Sequence, residues 1–225
     1  MPVVFLTGAS RGIGLEFARQ YAAAGWRVIA AVRDPARADA LQALAGTIEI
    51  HALDVADFAA ATKLGDKLRD EAIDVMIANA GISGPREMSQ EAVDGEAWAE
   101  VFRINTMAPL AIAGALHRQV ARSTERKAIA ISSRLGSIAA NLEGGRHIYR
   151  SSKTALNSVW RSFAIDNPGL IAAVLHPGWV RTDMGGAAAP VTPPESVAGM
   201  RQVIARLTAQ DSGHFFNYDG TPIPW

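Results

Sequence analysis

The sequence predicts a single doubly wound α/β domain spanning residues 1–225. Short β-branched runs alternate with longer amphipathic segments, and a chain of this length suits one continuous core. The predicted strands are residues 3–7, 27–32, 48–52, 74–78, 127–132, 171–176 and 214–217. The predicted helices are residues 12–24, 35–44, 58–70, 96–122, 148–165 and 194–207. This alternation favours a mostly parallel sheet with helices on both faces, since parallel neighbours need a crossover connection.

The composition restricts the classes of function. Hydrophobic residues make up 49% of the chain and charged residues 20%, as in ordinary globular proteins. Basic and acidic side chains balance at 22 each, so we expect no nucleic-acid or membrane partner. The chain has no cysteine, which excludes disulfides and thiolate metal sites and suits the cytoplasm. Its five histidines form no ligand cluster, so no metal is expected.

The loop behind the first predicted strand is rich in glycine. It runs from Thr7 to Gly14 as Thr-Gly-Ala-Ser-Arg-Gly-Ile-Gly, and the first amphipathic helix follows at once. Glycines let a backbone approach a pyrophosphate closely, and the amino-terminal end of a helix attracts anions. A purely structural turn is the alternative. The strand before the loop and the helix after it favour nucleotide binding.

Further motifs follow this loop in a characteristic order. They are Gly8-x-x-x-Gly12-x-Gly14, Asp54-Val55, Asn79-Ala80-Gly81, Asn105, Ser133, Tyr149-x-x-x-Lys153 and Pro177-Gly178 with Thr182. Together they resemble the short-chain dehydrogenase/reductase family over nearly the full chain. That resemblance implies a Rossmann-type domain with the seven-strand order 3-2-1-4-5-6-7. Segments 132–150 and 219–225 further resemble the small carbonyl-reductase branch that includes bacterial C-factor and insect sniffer.

The resemblance implies a catalytic tetrad of Asn105, Ser133, Tyr149 and Lys153. Tyr149 and Lys153 lie four positions apart on a predicted helix and therefore share a face. A nearby ammonium lowers the pKa of a tyrosine hydroxyl, so Lys153 is expected to help Tyr149 exchange a proton. Ser133 is expected to polarise a substrate carbonyl, and Asn105 to help bind a water that links Lys153 to solvent. Taken singly, each residue has an ordinary structural explanation.

The catalytic serine has two candidates. Ser133 has the family's S-x-x-G spacing to Gly136, and Ser132 is the alternative. Ser133 and Tyr149 are sixteen positions apart, a few more than in many family members. Segment 139–146 is expected to accommodate the excess as a glycine-containing loop.

The resemblance also implies which residues contact a nicotinamide dinucleotide. The phosphates would lie on Gly8, Ser10, Arg11, Gly12, Ile13 and Gly14. The adenosine would lie on Asp54, Val55, Asn79, Ala80 and Gly81. The nicotinamide and its ribose would lie on Tyr149, Lys153, Pro177, Gly178, Val180 and Thr182. Within the last segment, Trp179 is either part of the pocket wall or a packing residue, and packing is the preferred interpretation.

The choice between NADP and NAD depends on the end of the second strand. Family members that prefer NAD carry an acid there, but this chain has Val32 followed by Arg33. Arg33 and Arg11 could bind a 2′-phosphate through bidentate charged hydrogen bonds, which favours NADP. Asp34 is the rival, as a ribose-binding acid. The sequence Asp34-Pro35 is more simply a helix cap followed by a proline in the first turn.

The sequence therefore predicts an NADPH-dependent carbonyl reductase with Tyr149 as its general acid. The alternative is an NAD(P)-binding signalling protein of the C-factor type with little catalytic role, and the intact tetrad weighs against it. A sugar-nucleotide epimerase or dehydratase would call for a longer chain. Segments 83–95, 135–146 and 183–194 are candidate pocket loops, and no charged cluster in them specifies a substrate. A homodimer or homotetramer is expected from the resemblance.

Overall fold

Seven strands form one sheet in the computed structural model, which describes residues 1–85 and 91–225. The strands are β1 (Val3–Thr7), β2 (Arg27–Val32), β3 (Ile48–Ala52), β4 (Val75–Ala78), β5 (Lys127–Ile131), β6 (Ile171–His176) and β7 (Phe215–Asn217). Their order is β3-β2-β1-β4-β5-β6-β7, and every neighbouring pair is parallel. The predicted Rossmann-type fold and strand order are confirmed.

Helices lie on both faces of this sheet. They are α1 (Gly12–Ala23), α2 (Asp39–Gln42), α3 (Phe58–Lys67), α4 (Gly95–Phe102), α5 (Ala108–Ala115), α6 (His117–Arg122), α7 (His147–Asp166) and α8 (Pro193–Arg206). Short 3₁₀ turns are formed by Pro35–Arg37, Arg134–Gly136 and Ala209–Asp211, and a π-helical turn by Arg103–Met107. No helix in the described ranges has the length and apolar character that a bilayer crossing requires.

The alternation of side chains along the strands creates two hydrophobic cores. In β1, Phe5 points to the core that contains Trp160 of α7, and Val4 and Leu6 point to the core that contains Phe17 of α1. All five side chains are fully buried. The two cores fix the helices against both faces. Because all strands are parallel, their carboxyl ends form one edge of the sheet, and the loops that follow the strands meet there.

The order of the strands reverses beside β1. This strand pairs with β2 on one side and with β4 on the other. The loops that follow β1 and β4 therefore diverge to opposite faces, which opens a crevice at the carboxyl edge. The glycine-rich loop lies at this point.

The prediction of one continuous helix over residues 96–122 is wrong. The structure breaks it into α4, the π-helical turn Arg103–Met107, α5 and α6. Pro109 has no N–H and cannot donate the α-helical hydrogen bond to the carbonyl of Asn105, so a wider turn forms ahead of it. The predicted helix over residues 35–44 is likewise divided, into a 3₁₀ turn and the short α2.

Other predicted boundaries differ by three residues or fewer. Asp74 lies outside β4 because its carboxylate accepts hydrogen bonds from the Val3 N–H at 2.7 Å and the Ser123 hydroxyl at 2.6 Å. Ser132 follows β5, and His214 precedes β7.

Candidate active site

The glycine-rich loop is held close to the end of β4. The Asn79 amide donates to the Thr7 carbonyl at 3.0 Å, and the Thr7 hydroxyl accepts hydrogen bonds from the backbone N–H groups of Asn79 and Ala80. At Gly14, a Cβ atom would lie 2.1 Å from the Gly8 carbonyl oxygen, so only glycine lets α1 begin there. The loop therefore presents backbone at the start of α1, as a phosphate site requires.

Arg11 points across the mouth of this crevice. Its guanidinium forms an ion pair with the carboxylate of Asp183 at 3.0 Å, and both side chains are largely exposed. Below it, Gly12 approaches Thr182, because a Cβ on Gly12 would lie 3.4 Å from the Thr182 methyl group. The glycine loop and the loop after β6 thus contact each other, and they bring two predicted cofactor segments together.

Arg33 follows β2 directly and is exposed, whereas Val32 is buried. Asp34 does not extend into the crevice as a ribose acceptor. Its carboxylate accepts a hydrogen bond from the Ala36 N–H at 3.0 Å and caps the 3₁₀ turn that begins at Pro35. The interpretation of Asp34 as a cap is confirmed.

The predicted adenosine contacts lie on both sides of the β1 end. Val55 and Ala80 line a shallow recess together with Thr7 and Ala78. Asp54 is exposed, and its carboxylate accepts a hydrogen bond from the Ala56 N–H at 2.9 Å. Residues of the π-helical turn and α5 complete this apolar recess, which has no volume for a bound group as it stands, so the predicted adenosine contacts stay a prediction.

Ser133 and Tyr149 meet at the carboxyl end of β5. The Ser133 side chain is near enough to Tyr149 to lower the pKa of Tyr149. The turn that carries Ser133 lies against α7, since a Cβ on Gly136 would be 2.8 Å from the Lys153 carbonyl carbon. The S-x-x-G spacing thus has a packing reason: glycine at its last position lets the serine approach the helix that carries Tyr149.

Ser132 points elsewhere. Its hydroxyl donates to the Asn157 side chain at 2.7 Å and is buried. Segment 139–146 forms a loop without regular structure, and Gly144 and Gly145 in it adopt positive φ angles of 68° and 65°. The excess residues between Ser133 and Tyr149 therefore do not separate the two side chains.

Lys153 is 4% exposed. Its ammonium donates to the Ile131 carbonyl at 2.9 Å and lies 5.9 Å from the centre of the Tyr149 ring. Burial lowers the pKa of Lys153 to about 8. Within the described residues its other two N–H groups have no acceptor. The backbone of Gly81 lies next to them, since a Cβ on Gly81 would be 3.6 Å from the Lys153 nitrogen.

The pKa of Tyr149 is raised overall in this structure, and its lowering by Lys153 stays a prediction. Burial raises the pKa of Tyr149, and a hydrogen bond with Ser133 and the charge of Arg146 oppose this rise. The Arg146 guanidinium lies 5.4 Å from the centre of the Tyr149 ring. Sequence reasoning missed Arg146 as a member of the site, although its position three residues before Tyr149 on the same segment was an available signal.

Asn105 is fully buried in the π-helical turn. Its side chain accepts a hydrogen bond from the Ile82 N–H at 2.9 Å and donates to the Ile82 carbonyl at 2.8 Å and to the Ser152 hydroxyl at 3.1 Å. The amide therefore ties the chain after β4 to α7, one residue from Lys153. The predicted role of Asn105 in binding a water that links Lys153 to solvent stays a prediction.

The segment after β6 closes the other side of the crevice. Val180 is buried and bridges to Val191, Gly178 has a positive φ of 83°, and the Thr182 hydroxyl accepts from the Gly185 N–H at 3.2 Å. The interpretation of Trp179 as a packing residue is wrong, because 56% of it is exposed and its indole N–H donates to the Gly185 carbonyl.

The candidate pocket loops are only partly described. Of segment 83–95, residues 86–90 lie outside the described residues. An open cavity of ≈ 490 Å³ adjoins segment 183–194 and is lined by Arg181, Thr182, Asp183, Gly186 and Ala187.

The described residues fit a nicotinamide dinucleotide. Glycine backbone at the start of α1 and a buried ammonium with spare donors both lie at the carboxyl edge. A buried ammonium is costly unless acceptors satisfy it, and ribose hydroxyls are acceptors of the right kind.

Comparison with known proteins supports the same assignment. A family model described as short chain dehydrogenase matches residues 2–191. The C-signal protein of Myxococcus xanthus is 43% identical over 155 residues, which cover 68% of this chain and 93% of that protein. The carbonyl reductase Sniffer of D. melanogaster superposes with a TM-score of 0.91 at 33% identity, and the NADPH-bound carbonyl reductase from chicken fatty liver with 0.89 at 35%, each over the full length of both chains.

Proposed function

Since this chain belongs to the short-chain dehydrogenase/reductase family, we propose that it is an NADPH-dependent carbonyl reductase that converts an aldehyde or ketone into an alcohol. The observation that carries the proposal is the juxtaposition of Ser133, Tyr149 and the buried ammonium of Lys153 at the carboxyl end of β5. Two solved carbonyl reductases with nearly the same backbone support the reaction type.

In the proposed reaction, Tyr149 and Ser133 act on the carbonyl oxygen of the substrate in different ways. The bound dinucleotide would supply a hydride to the carbonyl carbon. Tyr149 donates its hydroxyl proton to the carbonyl oxygen, and the raised pKa of Tyr149 keeps that proton available at neutral pH. Ser133 donates a hydrogen bond to the same oxygen and stabilises the negative charge that develops there. The product is an alcohol, and the proton lost by Tyr149 is replaced from solvent.

Lys153 has two roles in this proposal. Its two spare N–H groups would hold the ribose hydroxyls next to the nicotinamide, and its positive charge stabilises the Tyr149 oxygen after proton transfer. Asn105 acts here as a positioning residue, because its amide bonds both Ile82 and Ser152, the residue directly before Lys153.

The proposal is tested by following NADPH consumption across a panel of aldehydes, ketones and quinones. We expect turnover of at least one class, with one alcohol formed for each NADPH oxidised. The relative C-signal favours a second candidate, a nucleotide-binding signalling protein. Tight NADPH binding without turnover of any carbonyl would favour that candidate and contradict the reductase.

We further propose that NADP is preferred over NAD. Arg33 is exposed beside the end of β2, where the family resemblance implies an acid in NAD-preferring members, and Arg11 is exposed on the glycine-rich loop after β1. A hydrogen bond between a guanidinium and a phosphate contributes about 1.5–3 kcal/mol, or about 10-fold to 100-fold in affinity.

Replacing Arg11 and Arg33 together with alanine is therefore expected to raise the KM for NADPH by about 10-fold or more and to change the KM for NADH little. Steady-state kinetics with both cofactors measure this. Arg118→Ala, an exposed arginine on α6, is the matched control. An equal rise for NADH, or a preference of the unaltered protein for NADH, would contradict the assignment.

The proposal places the protein in the cytoplasm as one domain that forms a homodimer or homotetramer. Met107 and Leu110, which follow Asn105, are 51% and 41% exposed and support pairing on that side.

A further inference from the structure

We propose that Arg146 binds an anionic group of the substrate, so that the favoured substrate is a carbonyl compound that carries a carboxylate. This inference rests on the proposed reductase function and names the substrate class for the same site. The juxtaposition behind it is a guanidinium 5.4 Å from the Tyr149 ring centre, at the end of the loop that precedes α7.

The backbone holds Arg146 in a defined place. It is in the left-handed conformation with φ 48° and ψ 42°, directly after Gly144 and Gly145, which are also left-handed. This conformation is unfavourable for a residue with a side chain and persists only where surrounding contacts fix it. The Arg146 carbonyl accepts from the Arg150 N–H at 2.9 Å, and the Arg150 side chain donates to the Gly144 carbonyl at 2.9 Å.

The far end of the same loop is also fixed. The Ser137 hydroxyl donates to the Pro224 carbonyl at 2.6 Å, and the Ala139 N–H donates to the Trp225 carbonyl at 3.0 Å. The loop is thus anchored at the carboxyl-terminal segment and at α7. Arg146 therefore belongs to a loop that is held in place at both ends, which suits a residue that binds a ligand.

The guanidinium has no acid to neutralise it among the described residues. Glu143 is the acid nearest to it in the sequence, but the Glu143 carboxylate is 4.0 Å from the Arg150 guanidinium and its side chain is 88% exposed. A second cation is near the same ring, since the ammonium of Lys153 lies 5.9 Å from the centre of the Tyr149 ring. The proton donor therefore has two cations near its ring, and an anionic substrate group could pair with the partly exposed Arg146, which a neutral substrate cannot do.

A carboxylate suits this position better than a neutral polar group. Guanidinium and carboxylate form two parallel hydrogen bonds, which fix the orientation of a ligand as well as its affinity. A substrate held by Arg146 at one end and by Ser133 and Tyr149 at its carbonyl oxygen is constrained at two points. Such constraint favours reaction because the reacting atoms are already aligned.

The test compares acids with their neutral methyl esters. Benzoylformate and methyl benzoylformate place the anionic group beside the carbonyl, and 4-carboxybenzaldehyde and methyl 4-formylbenzoate place it across a ring. For at least one pair we expect the acid to have a kcat/KM about 10-fold or more above that of its ester, the effect of one charged hydrogen-bond pair. Reduction of acid and ester at the same rate in both pairs, or of neither acid while other carbonyls of the panel are reduced, would overturn the inference. No reduction of any compound, here or in the wider carbonyl panel, would overturn the reductase function itself.

Substitutions of Arg146 then test whether this residue causes the preference for the acid over its ester. Arg146→Asn removes the charge with a residue that tolerates the left-handed conformation, and Arg146→Gly is a second neutral variant for the same backbone. Both are expected to bring the acid-to-ester ratio to about 1, while Arg146→Lys retains part of it. Arg118→Asn, on exposed α6 surface, is the charge-matched control and should keep the full ratio.

A role through Tyr149 alone gives a different result. If Arg146 only adjusts the pKa of Tyr149, then Arg146→Asn lowers kcat/KM for acid and ester equally, shifts the pH profile of both and leaves their ratio unchanged. That outcome would contradict substrate binding by Arg146.

Discussion

Tyr149→Phe is expected to lower kcat for carbonyl reduction by about 10³-fold while the affinity for NADPH changes little. The substitution removes the proton donor and keeps the ring that fills the site. General acid catalysis by a positioned side chain contributes about 10²-fold to 10⁴-fold, and no other described hydroxyl except that of Ser133 lies at the same place. Single-turnover oxidation of NADPH measures the chemical step, and nucleotide fluorescence measures binding.

The control for this variant is Tyr21→Phe. Tyr21 is also buried, but it lies on α1 against the Arg201 guanidinium, away from the carboxyl edge. Activity of Tyr21→Phe close to that of the unaltered protein, together with loss in Tyr149→Phe, separates catalysis from packing. Comparable rates for Tyr149→Phe and the unaltered protein would remove Tyr149 from the mechanism.

Lys153→Met is expected to lower kcat/KM by about 10²-fold or more and to weaken NADPH binding as well. Methionine fills a similar volume but has neither the charge that stabilises the Tyr149 oxygen nor the donors for ribose hydroxyls. Both kcat and KM should therefore change, unlike the result for Tyr149→Phe. A purely structural lysine would instead alter the free energy of unfolding and leave the activity of the folded fraction intact, which urea denaturation and active-site titration would reveal.

The pH dependence of reduction follows from the same lysine. Burial lowers the pKa of Lys153 to about 8, so its ammonium is present below this pH and is lost above it. The pKa of Tyr149 is raised, so its proton remains across the same range. We expect kcat/KM for reduction to be level below pH 8 and to fall above it. A kcat/KM that rises between pH 8 and 9 would contradict this assignment.

Much of the fold could be predicted because its signals are local. β-branched runs separated by amphipathic segments identify all seven strands, and the alternation of apolar residues within β1 anticipates a core on each face. The continuity of the helices could not be predicted as well. Helical periodicity continues through Asn105, and the break depends on the wider turn ahead of Pro109 and on the burial of the Asn105 amide between two segments.

The candidate site, like the fold, could be predicted from the sequence only in part. Motif order along the chain predicted that Ser133, Tyr149 and Lys153 belong together, and the structure places them side by side. Spacing could not decide between Ser132 and Ser133, because adjacent residues of an extended chain point in opposite directions and the direction depends on sheet register. Packing of Gly136 on α7 decides it.

Local sequence patterns were enough to specify the strands and the glycine loop, since each follows from residues near one another in the chain, and the family resemblance added the strand order and most of the site residues. The tertiary structure, by contrast, decided which partners the charged side chains have. Arg11 pairs with Asp183 across 172 positions, Asp34 turns back to cap its own segment, and Arg146 comes to rest beside Tyr149. Long flexible side chains take their positions from the loops that surround them, and loops are fixed by contacts between distant parts of the chain.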